Sequence, residues 1–519
     1  MIDRAPGFPD MRQRMQQLLL ALVLGALAAC GFQPWGLWPL TLAAFAGLLW
    51  LLSEAPHLRS AFARGWWFGV GHFSLGLNWI ATAFTFQAAM PAWLGWIAVV
   101  LLSLYLAVYP AAAAGIAWKY GRRQPLALVL WFAAAWIATE WLRATMFTGF
   151  AWNPAGVALL DAGGVAALSR FVGTYGLSGV TMLAAGVLLL LARRAWKSAA
   201  TLAVPILAAG LFFWPSVATE PASSQPRIRI VQPNIGQQDK WRAGFADEIL
   251  RRLGELSAAG TNEPRLLLWP EAAVTEPLED GRRDDRYQEE VAWTRDRVRR
   301  LLAPGDLLLA GGITVRSADG RRPSSATNSV FAMDGTGRIL ARYDKAHLVP
   351  YGEYLPMRPI LSAVGLSRLA PGNLDFDPGP GPRTLTLPIV GKVGFQLCYE
   401  IVFSGEVVDR ANRPNFLFNP SNDAWFGAWG PPQHLAQARL RALEEGLPVL
   451  RATPTGISAV IDGDGRLASS IPMGRAAFLD ARLPGPHPPT LFARFGNVLP
   501  MLLALLLAAA AIAVARKPR

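Results

Sequence analysis

Eight long apolar runs punctuate this 519-residue chain, and most approach the roughly 20 residues a helix needs to cross a bilayer. They lie at Met15–Gly31, Trp35–Ser53, Gly65–Phe86, Pro91–Trp118, Leu126–Leu142, Ala166–Leu191, Ala199–Pro215 and Leu491–Ala515. Only Gly31-Phe32-Gln33-Pro34 separates the first two, which could be a hairpin or one bent element. The pattern predicts an α-helical transmembrane bundle of about eight helices. Hydrophobic residues make up 52% of the chain and charged residues only 16%, which fits a membrane protein carrying a soluble part.

The basic residues give the bundle a direction. Arg4, Arg12 and Arg14 precede the first run, and Arg59 and Arg64 follow the second. Lys119, Arg122 and Arg123 follow the fourth, Arg193, Arg194 and Lys197 the sixth, and Arg516, Lys517 and Arg519 the last. Every second loop is basic, which predicts cytoplasmic termini. The long segment from Val217 to Thr490 then lies on the outer face. A formal net charge of +13 could suit a nucleic-acid binder, but its placement in alternate loops makes it topological. No nucleic-acid partner is expected. The run Met11–Cys30 has the look of a lipoprotein signal peptide. The apolar sequence continues straight on, so this helix is expected to stay in the chain.

The expected organisation is a membrane domain at 1–216 with about seven helices, an extracytoplasmic domain at 217–490, and a final membrane helix with a cytoplasmic tail at 491–519. In the middle part, strand-like runs occur at Arg227–Gln232, Arg265–Trp269, Asp306–Gly311, Asn328–Met333, Val393–Leu397, Asn415–Asn419 and Ile457–Ile461. Amphipathic stretches at Phe245–Leu256, Tyr287–Leu302 and Gln433–Glu445 separate several of them. Strands mixed with helices argue for an α/β or α+β domain. Glycine-rich phosphate loops, zinc-type Cys/His clusters and paired acidic metal motifs are absent, so neither cofactor nor metal is expected.

This domain has one cysteine, Cys398, in Gly394-Phe395-Gln396-Leu397-Cys398-Tyr399-Glu400. The chain's other cysteine, Cys30, lies in the first apolar run. On the outer face a thiol without a disulfide partner is more often reactive than structural. Thiolate nucleophiles need a base or a lowered pKa. Glu271, in Trp269-Pro270-Glu271, closes a strand and can project a carboxylate into a pocket. Lys345, in Lys345-Ala346-His347-Leu348-Val349-Pro350-Tyr351-Gly352-Glu353, can stabilise an oxyanion, with the backbone N–H of Tyr399 as a second donor. Glu353 or Glu400 could hold the ammonium in place. A lone Glu or Lys is by default a solvated surface group, and a lone Cys a small buried hydrophobe. Three such segments in one chain argue against that default.

Pro270-Glu271, the Lys345–Glu353 segment and Cys398-Tyr399-Glu400 resemble the Glu–Lys–Cys signature of the nitrilase, or carbon–nitrogen hydrolase, superfamily. The chain as a whole resembles the apolipoprotein N-acyltransferase family. That resemblance includes Asn422-Asp423-Ala424-Trp425-Phe426-Gly427, Gln433-His434, Arg439-Leu440-Arg441-Ala442-Leu443-Glu444 and Gln237-Gln238-Asp239-Lys240-Trp241. Leu397, where a β-branched residue is common, and Thr453-Pro454-Thr455-Gly456, where an Asn-containing turn is usual, depart from it. The resemblance implies an αββα sandwich and a two-step acyl transfer. Cys398 would take an acyl chain from a phospholipid, typically phosphatidylethanolamine. The thioester would then acylate the α-amine of a diacylglyceryl-cysteine at a lipoprotein N-terminus. In this scheme Glu271 is the base, Lys345 the oxyanion stabiliser, and Glu353, Tyr399 and Glu400 support them.

Substrates whose acyl chains stay in the bilayer require a side opening. Trp241, Trp425 and Phe426 are candidates for lining or gating it, with core or interfacial packing as the alternative. Asn328 and Arg143 are further candidates for substrate contact, although for Arg143 with Glu140 a structural pair is the favoured reading. His72 and Asn78 are expected to hydrogen-bond between helices. His347 and His434 are expected to orient rather than to act as bases. A membrane-tethered amidase or nitrilase is the alternative enzyme, but one anchor would suffice for a hydrolase of soluble amides. A transporter or receptor is the non-enzymatic alternative, and the sparse charge within the apolar runs argues against transport.

Overall fold

The computed structural model describes residues 11–86, 91–214, 221–240, 242, 244–258, 263–363, 368 and 374–516. The chain divides into two compact units. The first comprises Met1–Asn78, Trp96–Pro215 and Asn497–Arg519, and the second Trp79–Gly95 and Ser216–Gly496.

The first unit is helical. Its main helices are Met11–Ala29, Trp38–Ser53, Leu58–Gly76, Leu94–Leu106, Val108–Gly121, Pro125–Thr145, Ser169–Ala192, Trp196–Phe212 and Val498–Arg516. Among the described residues, four helical segments are long and apolar enough to cross a membrane: Leu94–Gly121, Pro125–Thr145, Gly163–Ala192 and Val498–Arg516. Trp38–Ser53 and Trp196–Phe212 are shorter apolar helices. Small residues set the closest helix contact. A Cβ on Gly25 would lie 1.9 Å from the Phe68 carbonyl oxygen, and one on Gly71 would lie 2.0 Å from that of Leu22. Only glycine lets these two backbones approach so closely.

Two apolar runs differ from their sequence reading. The run Gly65–Phe86 is not one span: its helix starts at Leu58 and ends at Gly76, and Trp79–Gly95 belongs to the second unit. The last run breaks at Gly496, whose φ of +57° suits glycine, between Leu491–Phe495 and Val498–Arg516. Apolar composition alone does not mark either break.

The second unit is a sandwich of two sheets. Its strands are β1 (Arg227–Gln232), β2 (Arg265–Leu268), β3 (Glu279–Asp280), β4 (Asp306–Arg316), β5 (Ser325–Asp334), β6 (Ile339–Asp344), β7 (Thr384–Leu387), β8 (Gly391–Phe395), β9 (Phe416–Pro420), β10 (Val449–Ala452), β11 (Ser458–Ile461), β12 (Leu467–Ile471) and β13 (Ala477–Arg482). One sheet runs β13-β1-β2-β4-β5-β6 with β3 beside β4, and the other β12-β11-β10-β9-β8-β7. The centres are parallel, β1-β2-β4 in one sheet and β8-β9-β10 in the other.

The two-residue period of a strand explains the layering. Ile228, Ile230, Leu266, Leu268, Leu307 and Leu309 point between the sheets, where they meet Val393, Phe395, Phe416, Phe418 and Leu450. The alternating residues Val231, Leu267, Leu308 and Phe331 point outward. There Ile249 and Leu253 of the helix Ala246–Ser257 and Val298 of the helix Asp285–Arg299 cover them. Strands buried on both faces read as continuous apolar runs, as these do. On the other sheet the helix Gly430–Glu445, buried along most of its length, packs against β10 and the turn Cys398–Val402. The layers are αββα. Strands β6, β7, β10, β12 and β13 carry too little apolar periodicity to be read from the sequence.

Candidate active site

The candidate residues follow the carboxyl ends of strands, the usual place for a site in an α/β sheet, two of them parallel and the third the antiparallel edge strand β6. Glu271 follows β2, Lys345 follows β6 and Cys398 follows β8. All three are buried, with Lys345 only 1% exposed. Glu271 reaches its position because the Pro270 carbonyl accepts from the Gly311 N–H at 3.2 Å. A Cβ on Gly311 would lie 2.6 Å from the Glu271 Cα.

Asn328, on β5, organises the carboxylates. Its Nδ2 donates to Glu271 Oε1 at 2.7 Å and to Glu353 Oε1 at 2.9 Å. Its main-chain oxygen accepts from the Lys345 N–H at 2.8 Å. Lys345 Nζ donates to Glu353 Oε1 at 2.9 Å and lies 3.7 Å from Glu271 Oε1. Burial opposes the Lys345 charge, but Glu353 and then Glu271 outweigh it and hold its pKa above the ordinary lysine range. Glu353 Oε2 is fixed by the Val349 N–H at 2.8 Å. Glu271 Oε2 is buried and, among the described residues, has no hydrogen-bond partner. A carboxylate oxygen held in place with its lone pairs unspent is what a general base requires.

Cys398 adopts φ +50°, the left-handed region that few residues other than glycine adopt without support. The support is visible. His434 Nε2 lies 3.0 Å from the Cys398 carbonyl oxygen, which can only accept, so this nitrogen carries the proton. Asn419 Nδ2 donates to the Gln396 carbonyl at 2.6 Å. His434 Nδ1 is 3.0 Å from Asp423 Oδ1 and 3.0 Å from Arg451 Nη2, and Arg451 Nη2 donates to both Asp423 oxygens at 2.7 Å. Burial and then the Arg451 charge lower the His434 pKa, keeping the ring neutral. Burial and the nearby Glu271 charge push the Cys398 thiol well above its usual range, against the pull of Lys345. A protonated thiol at neutral pH needs a base at the moment of attack, and Glu271 is adjacent.

Glu400 supports the site differently from the sequence expectation. Its ion pair with Lys345 is replaced by main-chain bonds. Oε1 accepts from the N–H groups of Ala346 at 2.7 Å and His347 at 3.0 Å, and Oε2 from that of Leu397 at 2.7 Å. Tyr343 Oη donates at 3.1 Å. One carboxylate thereby ties the backbone after Lys345 to the backbone before Cys398. Burial, opposed by these N–H groups, raises its pKa to about 7. The Tyr399 ring packs edge-on against Phe403 at 5.1 Å, and His347 lies 3.9 Å from the Phe403 ring.

The remaining candidates fall in different places. Trp425 and Phe426 are half-buried, and each meets the returning segment of the second unit. Phe86 lies 5.7 Å from the Trp425 ring, and Trp79 lies 4.7 Å from Phe426. Asn328 proves to be an orienter of two carboxylates. Arg143 lies in the helical unit, 4% exposed, donating to the Trp152 carbonyl at 2.9 Å and 3.8 Å from Glu140, as a structural pair does. Trp241 lies outside the described residues. His72 bonds the main chain of Gly25 on another helix, whereas Asn78 bonds Leu75 of its own helix end at 2.9 Å.

Sequence reasoning missed Lys240. It ends the short helix Gln237–Lys240, is 5% exposed, and donates from Nζ to the Glu271 carbonyl oxygen at 2.9 Å. Gln237 of the same turn accepts from Asn422 Nδ2 at 2.9 Å. No periodicity marks so short a turn, and a main-chain partner leaves no trace in the sequence. Arg451 was missed for a different reason: it sits mid-strand with its side-chain partners on other elements.

Comparison with known proteins gives the family. Residues 24–187 match the apolipoprotein N-acyltransferase N-terminal domain, and residues 227–481 match the carbon–nitrogen hydrolase family. An apolipoprotein N-acyltransferase of Rhodopseudomonas palustris is 34% identical over 93% of this chain and 92% of its own length. Its counterpart in Caulobacter vibrioides is 37% identical over 92% of this chain and 91% of its own. The chain belongs to the apolipoprotein N-acyltransferase family. It is an enzyme, and its carbon–nitrogen hydrolase domain carries the Glu–Lys–Cys catalytic type. Family membership and the apolar helices make it a bacterial membrane protein. Among solved structures it is similar to Saccharomyces cerevisiae Nit3 of the nitrilase superfamily, at 17% identity and a TM-score of 0.37 over 52% of this chain and 93% of that one. It is also similar to a Nesterenkonia amidase, at 18% identity and a TM-score of 0.34 over 51% and 94%.

Proposed function

We propose that this enzyme moves a fatty acyl chain from a phospholipid, through a thioester on Cys398, to the N-terminal amine of diacylglyceryl-cysteine in apolipoproteins. Phosphatidylethanolamine is the donor. Glu271 takes the thiol proton as Sγ attacks the ester carbonyl, and returns it to the departing lysophospholipid alkoxide. Lys345, with the Tyr399 main-chain N–H, stabilises the oxyanion. Glu271 then takes the proton from the attacking amine and passes it to Sγ as the C–S bond breaks. Glu353 holds Lys345, and Glu400 holds the main chain on both sides of the pocket. Trp241, Trp425 and Phe426 line or gate acyl entry and keep water from the thioester.

The membrane arrangement belongs to the same proposal. Eight helices span the inner membrane, in a domain at 1–216 and a final helix within 491–519. The basic loops put both termini in the cytoplasm and the catalytic domain at 217–490 on the periplasmic face.

The observation that carries the reading is the convergence of Glu271, Lys345 and a thiol kept protonated at the strand ends of a membrane-anchored sandwich. The test supplies radiolabelled phospholipid and a diacylated peptide in mixed micelles. Label should pass to a peptide with a free α-amine and not to its N-acetylated form. Release of labelled fatty acid without peptide labelling would instead make the enzyme a hydrolase.

A further inference from the structure

The site contains two buried lysines, and their anchors differ. Lys345 is held by carboxylates, Glu353 at 2.9 Å and Glu271 at 3.7 Å, which keep it an ammonium. Lys240 is held by one main-chain carbonyl, that of Glu271, at 2.9 Å. An ammonium has three N–H donors, and among the described residues this is the one hydrogen bond Lys240 makes. It is 5% exposed, so its other donors are inside the protein. Buried donors are rarely left unspent without a reason. The titratable groups facing it are Glu271 at the end of β2 and the Cys398 thiol at the end of β8. On its own turn, Asp239 is engaged by Arg242 at 3.6 Å.

We propose that Lys240 is a further catalytic residue, a second cationic donor that stabilises the oxyanion beside Lys345. The inference rests on the acyl-transfer reading above. As Sγ bonds to the ester carbonyl carbon, the carbonyl π pair moves onto oxygen and the thiol proton moves to Glu271. Collapse breaks the ester C–O bond, and Glu271 protonates the alkoxide. No oxidant, reductant or cofactor is involved. The added charge on the carbonyl oxygen is what the spare Lys240 donors meet, and one such donor is worth about 10²- to 10³-fold in rate.

A structural role and a charge role make different predictions. A neutral amine still donates to the Glu271 carbonyl, so a mere anchor would survive loss of the proton. An electrostatic role would not. Burial lowers the Lys240 pKa to about 8, against the opposing pull of Glu271 and Cys398. The ammonium is therefore present below pH 8 and lost as pH rises through it. Lys345 cannot supply such a limb, because its carboxylates keep it charged.

The experiment measures the burst of lysophospholipid released by the full-length enzyme from phosphatidylethanolamine, without acceptor, from pH 6 to 10. In wild type the burst rate should fall roughly fivefold between pH 8 and pH 9, as one group of that pKa discharges. Lys240→Arg keeps a charge that does not titrate in this range, so the alkaline fall should disappear. Lys240→Met should be about 100-fold slower than wild type at pH 6 to 7 and show no alkaline fall, so the gap should close toward pH 10. A flat wild-type profile above pH 8 overturns the inference without any variant having to fold. So does an alkaline fall that persists in Lys240→Arg, or a Lys240→Met burst within a few-fold of wild type at pH 6 to 7. A wild type with no burst at any pH fails the acyl-transfer reading itself, and this inference with it.

Discussion

Two buried polar clusters flank Cys398, and they differ in what they leave unspent. Asp423, His434 and Arg451 are all below 2% exposed, and every polar atom of Asp423 and His434 has a partner, leaving only Arg451 Nε without one among the described residues. The Glu271–Asn328–Lys345–Glu353 cluster, also buried but at 1–8% exposure, keeps Glu271 Oε2 and Asn328 Oδ1 without partners among the described residues. A closed network fixes geometry, and an open one can exchange protons. The first cluster holds the Cys398 carbonyl at a residue with φ +50°, and in the proposed mechanism the second handles the thiol proton.

Substitutions on the two sides should break in different ways. The largest losses belong to the open cluster. Cys398→Ala should abolish transfer while leaving the fold intact, and Glu271→Gln and Lys345→Met should each cost about 10⁴-fold or more in a single-turnover assay. A Lys345→Met enzyme with near-normal turnover would remove Lys345 from the oxyanion. On the closed side, His434→Ala should slow acyl-enzyme formation by about 100-fold, through misplacement of the nucleophile. His434→Gln, whose amide can still donate to the Cys398 carbonyl, should recover part of that loss. If Gln and Ala behave alike, the hydrogen bond is not what positions Cys398.

Asn328→Ala tests the join between base and cation. It strips one donor from two carboxylates, and a charged hydrogen bond is worth about 1.5–3 kcal/mol, or roughly ten- to a hundredfold in rate. An effect on substrate affinity alone, with turnover intact, would return Asn328 to substrate contact. The mildest expectation concerns alkylation of Cys398 by iodoacetamide. A thiol whose pKa is raised is neutral at pH 7, and its thiolate fraction grows as pH increases. The rate should climb steadily from pH 7 to 9 without a plateau. A plateau below pH 8 would mean a resting thiolate and no need for Glu271 as base.

The two clusters were not equally legible in the sequence. Glu271, Lys345 and Cys398 each stand at a strand end inside a recognisable segment, so chemistry and placement could be read together. His434 and Asp423 lie in segments that were singled out, but their partner Arg451 is a lone charge inside β10. Only the fold brings β9, β10 and the helix Gly430–Glu445 to one point. Glu400 was assigned to the right site by the wrong route, because bonds to the N–H groups of Ala346, His347 and Leu397 carry no residue signature. In the membrane part the apolar runs located the helices. Their ends at Gly76 and Gly496 are set by backbone turns that hydropathy does not register.

The most direct test of the open cluster is the intact mass of the protein after exposure to phospholipid without an acceptor peptide. Wild type should gain one acyl group, mapped to Cys398 and removed by hydroxylamine, and Glu271→Gln should gain none over the same interval. An acyl group elsewhere than Cys398, or equal acylation of the Glu271→Gln enzyme, would contradict the account.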